Sequence, residues 1–192
     1  MVTRQEVEEG IRGKDEFVKI SYLNRFLREA DSMDMKKFIL LNLASVNETK
    51  GFLNDAIKNV AGAGDISITF KDKRELYMKE VELWIKIMDF NMAERAFNKV
   101  LGYCNEKERK EVQEHYENLF EAIGRSLENK GKHRLAIDVY KKLIENTKSV
   151  PKRMETKERL VKLYDLTGRI READRTKRMN VWVTLILFIV NW

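Results

Sequence analysis

The chain has 192 residues, 43% hydrophobic and 35% charged, with one proline, one cysteine, two histidines and a net charge of +6 at pH 7. So little proline beside so much apolar and charged material describes a soluble helical protein able to build an extended core as one continuous domain. Two histidines, a single cysteine and the lack of a glycine-rich phosphate loop argue against catalysis, and neither metal nor cofactor is expected.

In chain order, residues 1–14, MVTRQEVEEGIRGK, are polar and glycine-interrupted and predict a frayed or partly helical terminus. They do not read as a signal peptide, because no apolar stretch follows the start. From Asp15 to Ala30, Phe17, Ile20, Leu23, Phe26, Leu27 and Ala30 recur at helical spacing and predict a helix that covers the open end of a helical array beginning near residue 37. Four segments of that array spell a helix, a tight turn and a second helix with an alanine in its first turns: Lys50 to Ala56, Met88 to Ala93, Lys130 to Ala136 and Thr167 to Ala173. Successive alanines are 37, 43 and 37 residues apart, the period of a supersecondary unit. Gly51, Gly131 and Gly168 suit the left-handed backbone that ends a helix, while the remaining turn uses Asp89, Phe90 and Asn91. Small Ala56, Ala93, Ala136 and Ala173 admit a neighbouring backbone, and Val60, Phe97 and Tyr140 add a larger group one turn on, making a packing seam.

Between the first two units, AGAGDISITFKDKRE predicts an extended loop whose glycines stop a helix and whose Ile66, Ile68 and Phe70 pin it to the helices. Its AGAG lacks the lysine and hydroxyl residue of a phosphate-binding loop. The sequence closes on a basic stretch, Arg169, Arg171, Arg175, Lys177 and Arg178, and an apolar run from Val181 to Val190. A spanning helix needs about 20 apolar residues, so three readings remain: a packed cap, a membrane-surface contact, or an expression or reading-frame artefact. Cys104 and the histidines His115 and His133 lack partners at ligand spacing; a free thiol fits a reducing compartment, and the location expected is cytoplasmic.

A glycine, four residues, an alanine, then an aromatic or aliphatic residue four later is similar to the tetratricopeptide repeat. The resemblance covers roughly 37–187 as units at 37–70, 74–107, 117–150 and 154–187, after an N-terminal segment 1–36 with its capping helix. The tail 181–192 overlaps the last repeat. The third unit matches best, with Phe120 and Gly124 at the family's bulky and small positions; the small position is Ala44, Val81 and Val161 elsewhere, and Pro151 is the sole proline. The resemblance implies an all-α fold, an α-solenoid of antiparallel helical hairpins wound as a right-handed superhelix, acting without catalysis as an adaptor or scaffold.

It also implies that first helices line a concave groove: Phe38, Leu41, Ser45 and Glu48; Glu75, Met78, Glu82, Ile85 and Lys86; Asn118, Glu121, Arg125, Glu128 and Asn129; Glu155, Glu158, Lys162, Asp165 and Leu166. Eight acidic against three basic side chains on that face predict an acidic-leaning groove for a basic or amphipathic peptide. The positive excess falls on second helices and turns, at Lys58, Arg95, Lys99, Lys132, Arg134, Lys141, Lys142 and the 169–178 cluster. That basic surface supplies the alternatives: RNA or ribosome binding, or peripheral membrane docking through 169–192, with oligomerisation through the apolar tail.

Overall fold

The computed structural model describes residues 2–178, so the tail readings on 181–192 lie outside the described residues. Every described element is helical: α1 (Arg4–Ile11), α2 (Glu16–Glu29), α3 (Met33–Lys50), α4 (Leu53–Ile66), α5 (Phe70–Lys86), α6 (Phe90–Gly102), α7 (Glu106–Asn129), α8 (His133–Asn146) and α9 (Val150–Leu166). A further helix begins at residue 170 and continues to the end of the described residues. Where one continuous domain is expected, the chain forms two compact units, Met1–Val112 and Gln113–Trp192, with α7 running through the boundary.

Local chemistry starts these helices. Ser32, Thr69, Asp89 and Ser149 accept the backbone N–H three residues on, and Pro151 fits the first turn of α9, where its missing N–H costs nothing. Four hairpin tips then share one geometry. Gly51, Met88, Gly131 and Gly168 have φ between 67° and 80°, and the residue after each donates its N–H to the carbonyl five residues back: Phe52 to Asn47, Asp89 to Trp84, Lys132 to Leu127, Arg169 to Tyr164. In the second hairpin the left-handed residue is therefore Met88 and not one of Asp89, Phe90 or Asn91; Asp89 caps α6 instead.

Of the frayed or partly helical terminus expected over 1–14, the helical form is found: residues 4–11 form a helix closed by a reciprocal capping box between Thr3 and Glu6, with Val7 fully buried. With α2 it makes an additional hairpin whose tip, Gly13, also has positive φ, and Val7, Leu23, Phe26, Ile39 and Leu43 bind the pair to α3. AGAG does not stop a helix, for α4 runs through it to Ile66 and only Ser67, Ile68 and Thr69 separate it from α5. Gly64 is needed there because a Cβ would stand 2.7 Å from Cε1 of Tyr77. Nor do the apolar residues pin a loop: Ile68 is 83% exposed and Phe70 66% exposed, with Phe70 lying against Tyr103.

Within unit 1, α3 packs on α4, α4 on α5 and α5 on α6, and Ala44, Ala56, Ile57, Val60 and Leu83 form a continuous apolar seam. Within unit 2, Phe120, Ala136, Ile137, Tyr140, Leu143, Leu160, Leu163 and Ala173 are buried. Ala56, Ala93, Ala136 and Ala173 each have zero exposure, and Phe97 is buried too. Gly124 lets the Tyr140 ring lie on α7, since a Cβ there would be 2.5 Å from Cε1.

Candidate functional site

In unit 1 the first-helix face is built by α3 and α5. Phe38 and Leu41 are half-buried, Phe38 against the core around Leu23 and beneath the Arg4 guanidinium, 5.2 Å from its ring centroid. Glu75 is exposed and pairs loosely with Lys71 at 4.0 Å. Met78 and Ile85 do not serve this face; both are buried, because α5 is packed by α4 on one side and α6 on the other and spends its apolar residues on both flanks.

Charge is distributed differently from the sequence count. Glu48 accepts from Lys86 at 2.6 Å and Lys79 at 3.0 Å, and Glu82 pairs with the same two lysines, so two carboxylates and two ammonium groups close a neutral square across α3 and α5. Partial burial alone would raise both carboxyls; hydrogen bonds and charge from Lys86 and Lys79 outweigh it and hold Glu48 and Glu82 below their ordinary range. Lys79, one turn from Glu82, is the residue that the sequence count leaves out.

In unit 2 the corresponding face lies on α7 and α9. Arg125 pairs with Glu121 and with Glu155 at 3.5 Å, and Arg159 pairs with Glu155 at 3.4 Å and Glu128 at 4.0 Å. Lys152 donates to Asn118 at 2.7 Å, and Lys177 meets Asp165 at 3.4 Å. Beside this ladder a cavity of about 390 Å³ is lined by Glu128, Glu155, Glu158, Arg159, Lys162, Leu163 and Leu166, with Leu166 70% exposed. Arg159 therefore joins the basic side of the count, and the acidic lean of both faces is smaller than the sequence suggests because neighbouring first helices pair their charges with each other.

Second-helix and turn cations are also partly matched: Lys58 with Asp55, Lys99 with Glu80, Lys142 with Glu145 and Arg169 with Glu172. Glu80, only 4% exposed, accepts from Trp84 Nε1 at 3.2 Å, a buried carboxylate that no sequence pattern announces. Cys104 is half-buried and donates to the Val100 carbonyl, and burial raises its pKa, which disfavours the thiolate. Among the described residues no group of three His, Cys, Asp or Glu side chains is arranged to hold a metal, and no helix is long and apolar enough to cross a membrane.

These antiparallel hairpins define an all-α helical repeat. Its tips with left-handed residues, the alanine five positions beyond, and the tyrosine packed on a first-helix glycine make the repeat tetratricopeptide-like. No family model matches the sequence, and no curated protein does. Among solved structures it is similar to MamA, at 16% identity and a TM-score of 0.45 over 94% of this chain and 95% of that one. It is also similar to the TPR domain of P58(IPK), at 18% identity and a TM-score of 0.47 over 94% of this chain and 50% of that one. Neither likeness is close enough to carry over a ligand or a partner.

Proposed function

We propose that this chain is a non-catalytic protein-binding adaptor whose first-helix faces receive a basic or amphipathic peptide segment. The observation that carries the reading is the face of unit 2, where exposed Leu166 and a cavity walled by three carboxylates, Arg159 and Lys162 stand together without being filled by any described side chain. In unit 1 the half-buried Phe38 and Leu41 supply apolar contact beside a charge square that a partner must compete with. Because most charges on such a face are already paired, net potential contributes little, and specificity falls to the apolar contacts and the few charges left unpaired.

Charge reversal of Glu82 is a poor test, since a lysine there would put a third cation between Lys79 and Lys86 and disturb the fold. Photo-crosslinking residues placed at Leu41 and Glu75 in unit 1 and Glu158 in unit 2, with Lys58 and Lys142 on second helices as controls, leave the ion pairs between first helices in place and remove only the loose Glu75–Lys71 contact from these faces. First-helix positions should capture a defined, nuclease-resistant protein from lysate. Capture of RNA, or of protein through the second-helix positions alone, would refute the reading and transfer function to the basic surface.

A further inference from the structure

The hairpin tips of unit 2 gather positive charge that the chain does not match. Lys130, Lys132 and Arg134 stand about the Gly131 tip, and Arg171 follows the Gly168 tip. All four are exposed, and none makes an ion pair among the described residues. Other cations of the unit are held: Lys142 by Glu145 at 2.6 Å and Arg169 by Glu172 at 2.6 Å. Glu172 through its hydrogen bond and Asp138 through space both act on Arg169, which leaves the remaining tip cations without a counter-ion.

The two tips also enclose a cavity of about 490 Å³, lined by Gly131, Lys132, His133, Arg134, Leu135 and Thr167. No carboxylate is among these residues. Thr167 donates its hydroxyl to the Leu163 carbonyl at 2.7 Å, so that polar group is already used. Leu135, 39% exposed, gives the cavity an apolar wall beside the exposed Lys132 and Arg134. Here, unlike on the first-helix faces, an incoming carboxylate meets cations without first breaking an ion pair.

We infer that these two tips form a docking surface for an acidic peptide segment in which an aliphatic residue stands between carboxylates. The aliphatic side chain enters the cavity against Leu135, and the flanking carboxylates pair with Lys132 and Arg134. Complementary charge selects the segment and the apolar contact fixes its register. A protein segment suits the place better than RNA. Neither Phe, Tyr nor Trp lines the cavity, and the Tyr164 ring near this tip is covered by the Arg169 guanidinium, 5.0 Å from its centroid, so unpaired bases find no ring on which to stack. This surface needs nothing from the first-helix reading, and either can fail without the other; together they describe an adaptor that joins a basic segment to an acidic one.

The test titrates acetyl-Glu-Glu-Leu-Glu-Glu-amide, the same peptide with glutamine at its four acidic positions, and a decauridylate strand into the full-length protein carrying labelled leucine and valine methyl groups. The acidic peptide should shift Leu135 saturably, bind about tenfold more tightly than the glutamine peptide, and weaken as salt rises. Serine in place of the peptide's leucine should cost it about fivefold, because the contact with Leu135 is lost. Lys132→Gln combined with Arg134→Gln should bring the acidic and glutamine peptides level, while unshifted methyls of buried Val139 and Leu143 report an intact fold. Lys142→Gln should leave the acidic peptide's affinity unaltered, since that cation is already held by Glu145. Equal affinity of the acidic and glutamine peptides, shifts centred away from Leu135, or an unchanged preference in the double variant would overturn the proposal. So would a decauridylate strand that shifts Leu135 at lower concentration than the peptide does, which would assign the tips to nucleic acid.

Discussion

Gly124→Ala should destabilise unit 2, against the usual rule that alanine is the better helix former. Residue 124 is inside α7, where the exchange by itself contributes about 0.8–1.0 kcal/mol of stability. The new Cβ, however, would stand 2.5 Å from Cε1 and 2.7 Å from Cζ of Tyr140, close to 1 Å nearer than ordinary contact, and that ring is fully buried. Overpacking of this kind costs about 1–3 kcal/mol, and the upper half of that range applies because the obstacle is a rigid ring held on all sides. The net loss is then about 1–2 kcal/mol, read as a lower urea midpoint by far-ultraviolet circular dichroism. Gly62→Ala serves as the control, since its Cβ would meet only Leu40 at 3.6 Å, and it should raise the midpoint. In a Tyr140→Leu background the ring is gone and Gly124→Ala should turn neutral or stabilising. A loss of the same size in both backgrounds would refute the steric account.

Met88→Gly should stabilise unit 1 by about 1 kcal/mol in the same assay, because a non-glycine residue held at φ 67° carries a left-handed backbone penalty of about that size. Tyr140→Phe should cost no more than about 1 kcal/mol, read from the urea midpoint, since the buried hydroxyl faces the Glu128 carboxylate without a hydrogen bond of good geometry; a larger drop would mean that the bond is well formed. Glu48 and Glu82 sit below their ordinary value of 4.5 when folded, so their contribution is complete above that pH and is lost as pH falls through the depressed values. Glu48→Gln should therefore lower stability at neutral pH and flatten the acid limb of the pH profile measured by thermal unfolding.

The hairpins were legible where the tip is glycine and the position five residues on is alanine, because both demands are local: a left-handed backbone and a close helix approach. The N-terminal hairpin escapes that pattern since Val18, 42% exposed, stands five residues after Gly13, and its first helix has only eight residues. Met88 escapes it for the opposite reason, as nothing in a methionine advertises φ above zero, and only the bond from Asp89 to the Trp84 carbonyl reveals the turn. The reach of α4 through AGAG depends on Tyr77 of the next helix, a tertiary partner that covers the cost of helical glycine. For the binding faces, the resemblance to the tetratricopeptide repeat implies that Met78 and Ile85 face the groove, but α5 has two helical neighbours and buries both.

Ionic pairing between successive first helices has a consequence for recognition. Glu48, Lys79, Glu82 and Lys86 in unit 1, and Glu121, Arg125, Glu155 and Arg159 in unit 2, satisfy one another across helices that are distant in sequence. A partner that merely offers charge must break such pairs and gains little, because half-exposed pairs are each worth about 0–1 kcal/mol and exchange without profit. Discrimination then falls to the few groups that the ladders leave unpaired. Glu158 is such a group: exposed and without an ion pair among the described residues, it lines a cavity with the apolar side chains of Leu163 and Leu166, so a ligand's selectivity should respond to Glu158 and Leu166 far more than to the more numerous paired charges around them.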